Sequence, residues 1–228
     1  MPAQLSGLAR ADLWLLGLAL AGGVLDATSY VSLGKVFTAN MTGNTVLLAI
    51  AVARGSGADA ARSAVALGGF SVGAAAGVML IASHVDPWPA RASAALLLEL
   101  VALSALLVLW AALGVPAVRY LLIALAGSAM GLQSAAVRAS DIRGVNTTYM
   151  TSTLLNAIAR LVERVRRTPA RQGGPSLPGA AWVTYGLGAL VAAIVVPSWQ
   201  AGIVAVPLAI VAIVMVAGTR ATERGDLT

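Results

Sequence analysis

Long runs of small and aliphatic residues, each close to twenty positions, alternate along the chain with short segments that hold nearly all of its charge. A helix needs roughly 20 apolar residues to cross the hydrocarbon core of a bilayer. The runs at about 13–33, 63–83, 92–113, 118–137, 179–197 and 201–218 meet that length. Two shorter apolar stretches, about 41–53 and 150–162, each follow a run of uncharged polar residues and predict short helices. The pattern predicts an all-α, polytopic transmembrane helix bundle, with residues 1–228 forming a single membrane domain in contact with the lipid bilayer.

Composition strengthens that expectation. Hydrophobic residues make up 59% of the 228 and charged residues 11%, and the mean hydropathy is +0.87. Soluble domains carry about a quarter charged residues. The longest polar stretch, about 160–178, is rich in Arg, Gly and Pro and lacks apolar periodicity, so it predicts a basic loop and no soluble domain. A net charge of +6 would suit a nucleic-acid partner only if it were clustered on a soluble face. Here the basic residues lie between apolar segments, where membrane proteins use them to set orientation. Nucleic acid is therefore not the expected partner, and Arg160, Arg164, Arg166, Arg167 and Arg171 read as a cytoplasmic loop meeting anionic headgroups. Arg10 followed by the apolar run from Leu13 resembles a signal sequence. The run has Asp26 inside it and no small-residue cleavage site before the next polar segment, which predicts that it stays attached. There is no cysteine, which excludes disulfides, thiolate metal sites and cysteine nucleophiles.

The polar runs recur. Thr38-Ala39-Asn40-Met41-Thr42-Gly43-Asn44-Thr45 is echoed by Asn146-Thr147-Thr148-Tyr149-Met150-Thr151-Ser152-Thr153. Gly23-Val24-Leu25-Asp26 aligns with Met130-Gly131-Leu132-Gln133, which sets Asp26 against Gln133. The order of features also repeats: a span rich in small residues, a polar residue near its end, a basic turn, the Met-Thr run, a short helix and two plain spans. Two internal repeats follow, about 13–113 and 118–218. Polar segments at matching places in two halves are a pointer to a transporter's site, because lipid cannot satisfy their hydrogen bonds.

Topology depends on whether the two short helices cross. If they do, there are eight crossings, with Arg54, Arg62 and Arg119 inside. If they dip in and return there are six full spans, and Arg91, Arg138 and Arg143 take that side instead. The basic residues divide eleven to four either way, counted over the 15 Lys and Arg. Val145 to Ala159 holds two Asn, four Thr and one Ser, poor material for a lipid-facing crossing, so six spans with two protein-buried or re-entrant helices are expected, related as inverted repeats. Both arrangements place the N- and C-termini in the cytoplasm. Gly69, Gly73 and Gly77, and again Gly127 and Gly131, fall on single helix faces where another backbone can approach. Trp14, Trp88, Trp110, Trp182 and Trp199 sit near span ends and read as interfacial anchors. A homo-oligomer is compatible with such a bundle.

Several residues could carry chemistry. Gly43 would relax the backbone, Thr42 or Asn40 would cap a helix beginning near Gly43, and the amides of that helix end would favour an anion or a carbonyl oxygen. Asp26, with Thr28 and Ser29 nearby, lies well inside a span, at a cost on the order of 2.5–3.5 kcal/mol on insertion scales. It could coordinate a cation, carry a proton or pair with a buried Arg. Glu99, flanked only by aliphatic residues until Ser104, is a second proton-coupling candidate, unless it pairs with Arg91 or His84 near an interface. Arg138 and Asp141 have the spacing of a pair on one helix face, and Arg138 could instead neutralise Asp26. The candidate substrate-binding set is Asp26, Tyr30, Asn40, Thr42, Gly43, Asn44, Gln133, Thr148 and Thr151. No metal-ligand cluster and no cofactor or catalytic motif is visible, so no cofactor and no enzyme activity is expected.

Taken together, Gly23-Val24-Leu25-Asp26-Ala27 to Tyr30, Gly34, Phe37 and Met41-Thr42-Gly43-Asn44 resemble the opening signature of the YoaK-type bacterial membrane protein family, a domain of unknown function. Ala129-Met130-Gly131-Leu132-Gln133-Ser134-Ala135 with Thr147-Thr148-Tyr149-Met150-Thr151 resembles its second signature. Where that family usually has Thr-Gly-Thr after the second Met, this chain has Thr151-Ser152-Thr153. The resemblance implies a polytopic protein of the bacterial inner membrane and brings no substrate. The expected function is a small-solute secondary transporter or channel-like carrier, for a small molecule or ion, with its site between the repeats. The alternative is a non-transporting assembly or lipid-interacting protein in which the polar runs are structural.

Overall fold

A computed structural model describes residues 2–82, 92–140, 150–165 and 177–223. The described residues form eight α-helices: α1 (Pro2–Ser32), α2 (Met41–Ala53), α3 (Gly57–Ala82), α4 (Ser93–Leu113), α5 (Val115–Arg138), α6 (Met150–Val165), α7 (Leu177–Trp199) and α8 (Ala205–Glu223). A 3-10 turn, Gln200–Val204, joins the last two. Ala and Leu dominate the long helices, which suits helix formation and leaves no unsatisfied backbone inside an apolar layer. Segments long and apolar enough to cross a membrane are Asp12–Ser32, Gly57–Ala82, Ser93–Leu113, Val115–Arg138 and the 42-residue stretch Leu177–Gly218, which contains both α7 and α8. The chain is a polytopic helical membrane protein.

Turns occur where the backbone is permissive. Gly114 adopts φ +72° between α4 and α5, with Pro116 in the first turn of α5, and Gly55 adopts φ +68° between α2 and α3. The two most extensive helix contacts are α3 on α5 and α1 on α7. Small residues make both possible. A methyl at Gly73 would meet the Ser128 carbonyl and one at Gly131 the Phe70 carbonyl; likewise, one at Gly188 would meet the Leu20 carbonyl and one at Gly23 the Tyr185 carbonyl. Around these contacts lies an aliphatic core that includes Leu15, Leu18, Leu25, Leu96, Leu103, Leu122, Ile123 and Met130.

Three expectations are corrected. α2 is not buried in protein: it packs along α3 and hides only Asn44 and Ala51, leaving Val46, Ile50 and Val52 exposed. At 13 residues it is about 20 Å long, short of the roughly 30 Å a crossing needs. On α6, Thr153 is buried while Leu155, Ile158, Leu161 and Val162 are exposed, so its apolar side faces away from the protein. Trp14 and Trp110 are core residues rather than interfacial anchors, whereas Trp182 and Trp199 are exposed. Trp88 lies outside the described residues.

Candidate functional site

The segment between α1 and α2 folds back along α1, and Asp26 is what holds it there. Asp26 Oδ1 accepts from the Thr38 N–H (2.6 Å), the Ala39 N–H (2.7 Å) and the Thr38 hydroxyl (3.2 Å), while Oδ2 accepts from the Tyr185 hydroxyl of α7 (2.5 Å). Asp26 lies six residues before the end of α1, so the returning chain re-enters by on the order of 9 Å before α2 begins. Asn44 makes a second latch from inside α2: its Oδ1 accepts from the Phe37 N–H (2.9 Å) and its amide donates to the Phe37 carbonyl (2.6 Å). Buried backbone groups outside a helix need such partners in a water-poor layer.

Asn40 is the helix cap, and it differs from expectation in register. The helix begins at Met41, with the Asn40 side chain accepting from the Gly43 N–H (3.2 Å) and from the Thr42 hydroxyl (2.9 Å). Gly43 sits in the first helical turn and does not relax the backbone. Its missing side chain leaves room for Asn40 and Phe37, each of which would lie 3.0 Å from a Cβ there. Tyr30 is exposed and stacks on Phe37 at 5.2 Å.

The two Met-Thr runs meet. A cavity of about 480 Å³ is lined by Asp26, Ala39, Asn40, Met41 and Thr42 from the first half, and by Met150, Thr151, Ser152 and Leu155 from α6. Phe70 of α3 and Tyr185 of α7 complete it. Asp26 is sealed at its base, while Thr42, Thr151 and Ser152 are exposed at its rim. Sequence reasoning missed Phe70 and Tyr185. The signal available for Tyr185 was a hydroxyl-bearing aromatic in the middle of an otherwise apolar helix.

Other candidates lie elsewhere. Gln133 is fully buried, donates to the Leu18 carbonyl (3.0 Å) and is not among the residues that line the cavity. Asn44 is a latch behind the cavity, and Gly43 and Tyr30 do not line it. Glu99 is fully buried, and neither carboxylate oxygen has a hydrogen-bond partner among the described residues. Arg138 is exposed and Asp26 is bound only by neutral groups, so the idea that Arg138 neutralises Asp26 is corrected. Thr148, with His84, Arg91 and Asp141, lies outside the described residues. No group of three His, Cys, Asp or Glu that could hold a metal occurs among the described residues.

A second cleft, of about 350 Å³, is lined by Lys35, Arg54, Asp59 and Arg62 among others. Arg62 donates from Nε to the Gly34 carbonyl (3.1 Å) and pairs with Asp59. Arg62 and Arg119 line a third cavity. Lys35, Arg54, Arg62 and Arg119 therefore share one end of the bundle.

Comparison with known proteins follows the same lines. The family model described as "Protein of unknown function (DUF1275)" matches residues 14–217. The UPF0700 transmembrane protein YoaK of Bacillus subtilis (strain 168) is 31% identical over 205 residues, covering 85% of this chain and 88% of that protein. No solved structure matches.

Proposed function

From the premise that the chain belongs to the DUF1275 family of proteins of unknown function, as a polytopic membrane protein, we propose that it is a small-solute secondary transporter or channel-like carrier and not an enzyme. Its substrate site is the cavity at Asp26. The supporting observation is the convergence of both Met-Thr runs, distant in sequence, on one cavity whose base is a buried carboxylate. Intramembrane ionisable groups usually face partners or water-filled paths. Asp26 is the proton-coupling residue in this reading.

The proposed arrangement has six spans, with α2 and α6 as re-entrant helices. It is supported by the grouping of Lys35 with Arg54 and Arg62, since a crossing α2 would separate them by the membrane. The N- and C-termini are then cytoplasmic, in a bacterial inner membrane. Two inverted repeats are supported by matched packing. Gly23 on Tyr185 corresponds to Gly131 on Phe70, and Gly188 on Leu20 to Gly73 on Ser128, under one register for α1 and α5 and one for α3 and α7. That register sets Asp26 opposite Ser134 rather than Gln133, and Tyr185 opposite Phe70. The repeat-related pair, Ser134 and Phe70, thus lacks both the carboxylate acceptor and the phenolic donor.

The structural reading has its own support, because Asp26 and Asn44 both spend their hydrogen bonds closing the re-entrant segment. Single-cysteine variants Thr42→Cys and Ser152→Cys separate the two readings. Transport predicts that both label with a water-soluble maleimide in membranes and that solute slows the labelling. Inert thiols at both sites would favour the structural role.

A further inference from the structure

We propose that the cavity takes a small organic monocation, an amine or quaternary ammonium, which competes with a proton for Asp26; this rests on the transport reading above. The argument begins with charge. Asp26 is 2% exposed and lines the cavity, and its four hydrogen bonds come from two amides and two hydroxyls. Neutral donors orient a carboxylate without cancelling its charge, and a buried charge is stable only when matched.

Nothing described around it does the matching. Among the described residues no Lys, Arg or His lines the cavity. Of the elements packed on α1, α7 and the 3-10 turn carry no charged residue. On α5 the charges are Arg119 near its start and the exposed Arg138 at its end; on α8 they are Arg220 and Glu223 in the last turn. The segment between α1 and α2 carries Lys35, which is exposed and lines the second cleft; α2 has no charge, α3 has only Asp59 and Arg62, which pair with each other, and on α6 the first charge is Arg160, well beyond Met150. Tyr185 is the titratable group in contact with Asp26. The charge is therefore matched by what enters, a proton in the empty site or a cation in the filled one.

The walls select the kind of cation. Phe70 and Tyr185 supply aromatic rings and Met41 and Met150 polarizable thioethers, surroundings that suit a weakly hydrated organic cation. A small metal ion would find a single carboxylate, with Oδ1 already occupied by three donors. For an anion, Asp26 is repulsive, and Asn40 already occupies the Gly43 amide at the helix end. A volume of about 480 Å³ lies within the range of small-molecule sites. On binding, the carboxyl proton leaves to water as the ammonium group arrives, so one proton exits for each monocation and the site's net charge is unchanged.

The test uses the full chain in detergent at low buffer strength, titrated with tetraethylammonium while a pH dye reports protons. Binding should release up to one proton per cation, and affinity should fall by up to about tenfold for each unit of acidification while the two compete. Asp26→Asn keeps an acceptor for the Thr38 and Ala39 amides; it should lower affinity at least tenfold and abolish proton release. Phe70→Leu should weaken binding several-fold and leave the proton count per bound cation intact. Absence of cation binding, binding without proton release at any pH, or unchanged affinity in Asp26→Asn overturns the proposal. If sucrose or glutamate protects Ser152→Cys from maleimide and tetraethylammonium does not, the substrate class fails while the transport reading stands. If none of the three protects it, both fail.

Discussion

Asp26 and Glu99 are carboxylates on two core helices, both sealed within the bundle, yet one has four hydrogen bonds and the other has no partner among the described residues. Asp26 faces a segment that is not helical, whose amides have no intrahelical carbonyl to bind. A short acidic side chain at that point satisfies two amides and two hydroxyls at once. Glu99 lies within a regular helix, and no described residue offers it a donor. Burial alone therefore says little about a polar residue's role. What matters is whether irregular backbone or a cavity lies within its reach.

Substitutions can break or sharpen that contrast. Asp26→Ala should have the largest effect, because it strands the Thr38 and Ala39 amides and the Tyr185 hydroxyl at about 1–3 kcal/mol for each buried group. A melting temperature in detergent lower by roughly 5–10 °C is expected. A shift smaller than that of Tyr185→Phe would show that the segment is held by something else. Tyr185→Phe comes next, removing one hydrogen bond to Asp26, about 1.5 kcal/mol, while its ring still fills the space. Glu99→Leu should be smallest and opposite in sign, a gain of about 1 kcal/mol from exchanging a buried carboxylate that has no partner among the described residues for an apolar side chain. A clear loss of melting temperature in Glu99→Leu would place a partner beside Glu99 and remove the contrast.

Much of this was legible in the linear chain. The long helices fall close to the apolar runs, because span length is set by bilayer thickness and needs no tertiary information. Asp26 and the Met-Thr runs stand out for a related reason, since polar residues are conspicuous in so apolar a chain. Phe70 and Tyr185 do not stand out, as aromatic residues in apolar helices are ordinary. Trp14 and Trp110 misled, because proximity to a span end does not say whether a side chain faces lipid or the core. Gln133 misled in a related way: its polarity marked it, but its amide serves the Leu18 carbonyl inside a helix contact.

By itself, then, the sequence determined the class of molecule, the position of its helices and the location of its unusual polar residues, all of which follow from local composition against a bilayer of known thickness. Only the tertiary structure decided which of those polar residues share a space. The α3–α5 and α1–α7 contacts bring Phe70 and Tyr185 to one cavity, and the segment that folds back along α1 brings Asn40 and Thr42 there while turning Asn44 behind it. Such convergence depends on how closely glycine faces let helices approach and on where a non-helical segment finds its hydrogen bonds. Neither is a property of any one stretch of chain.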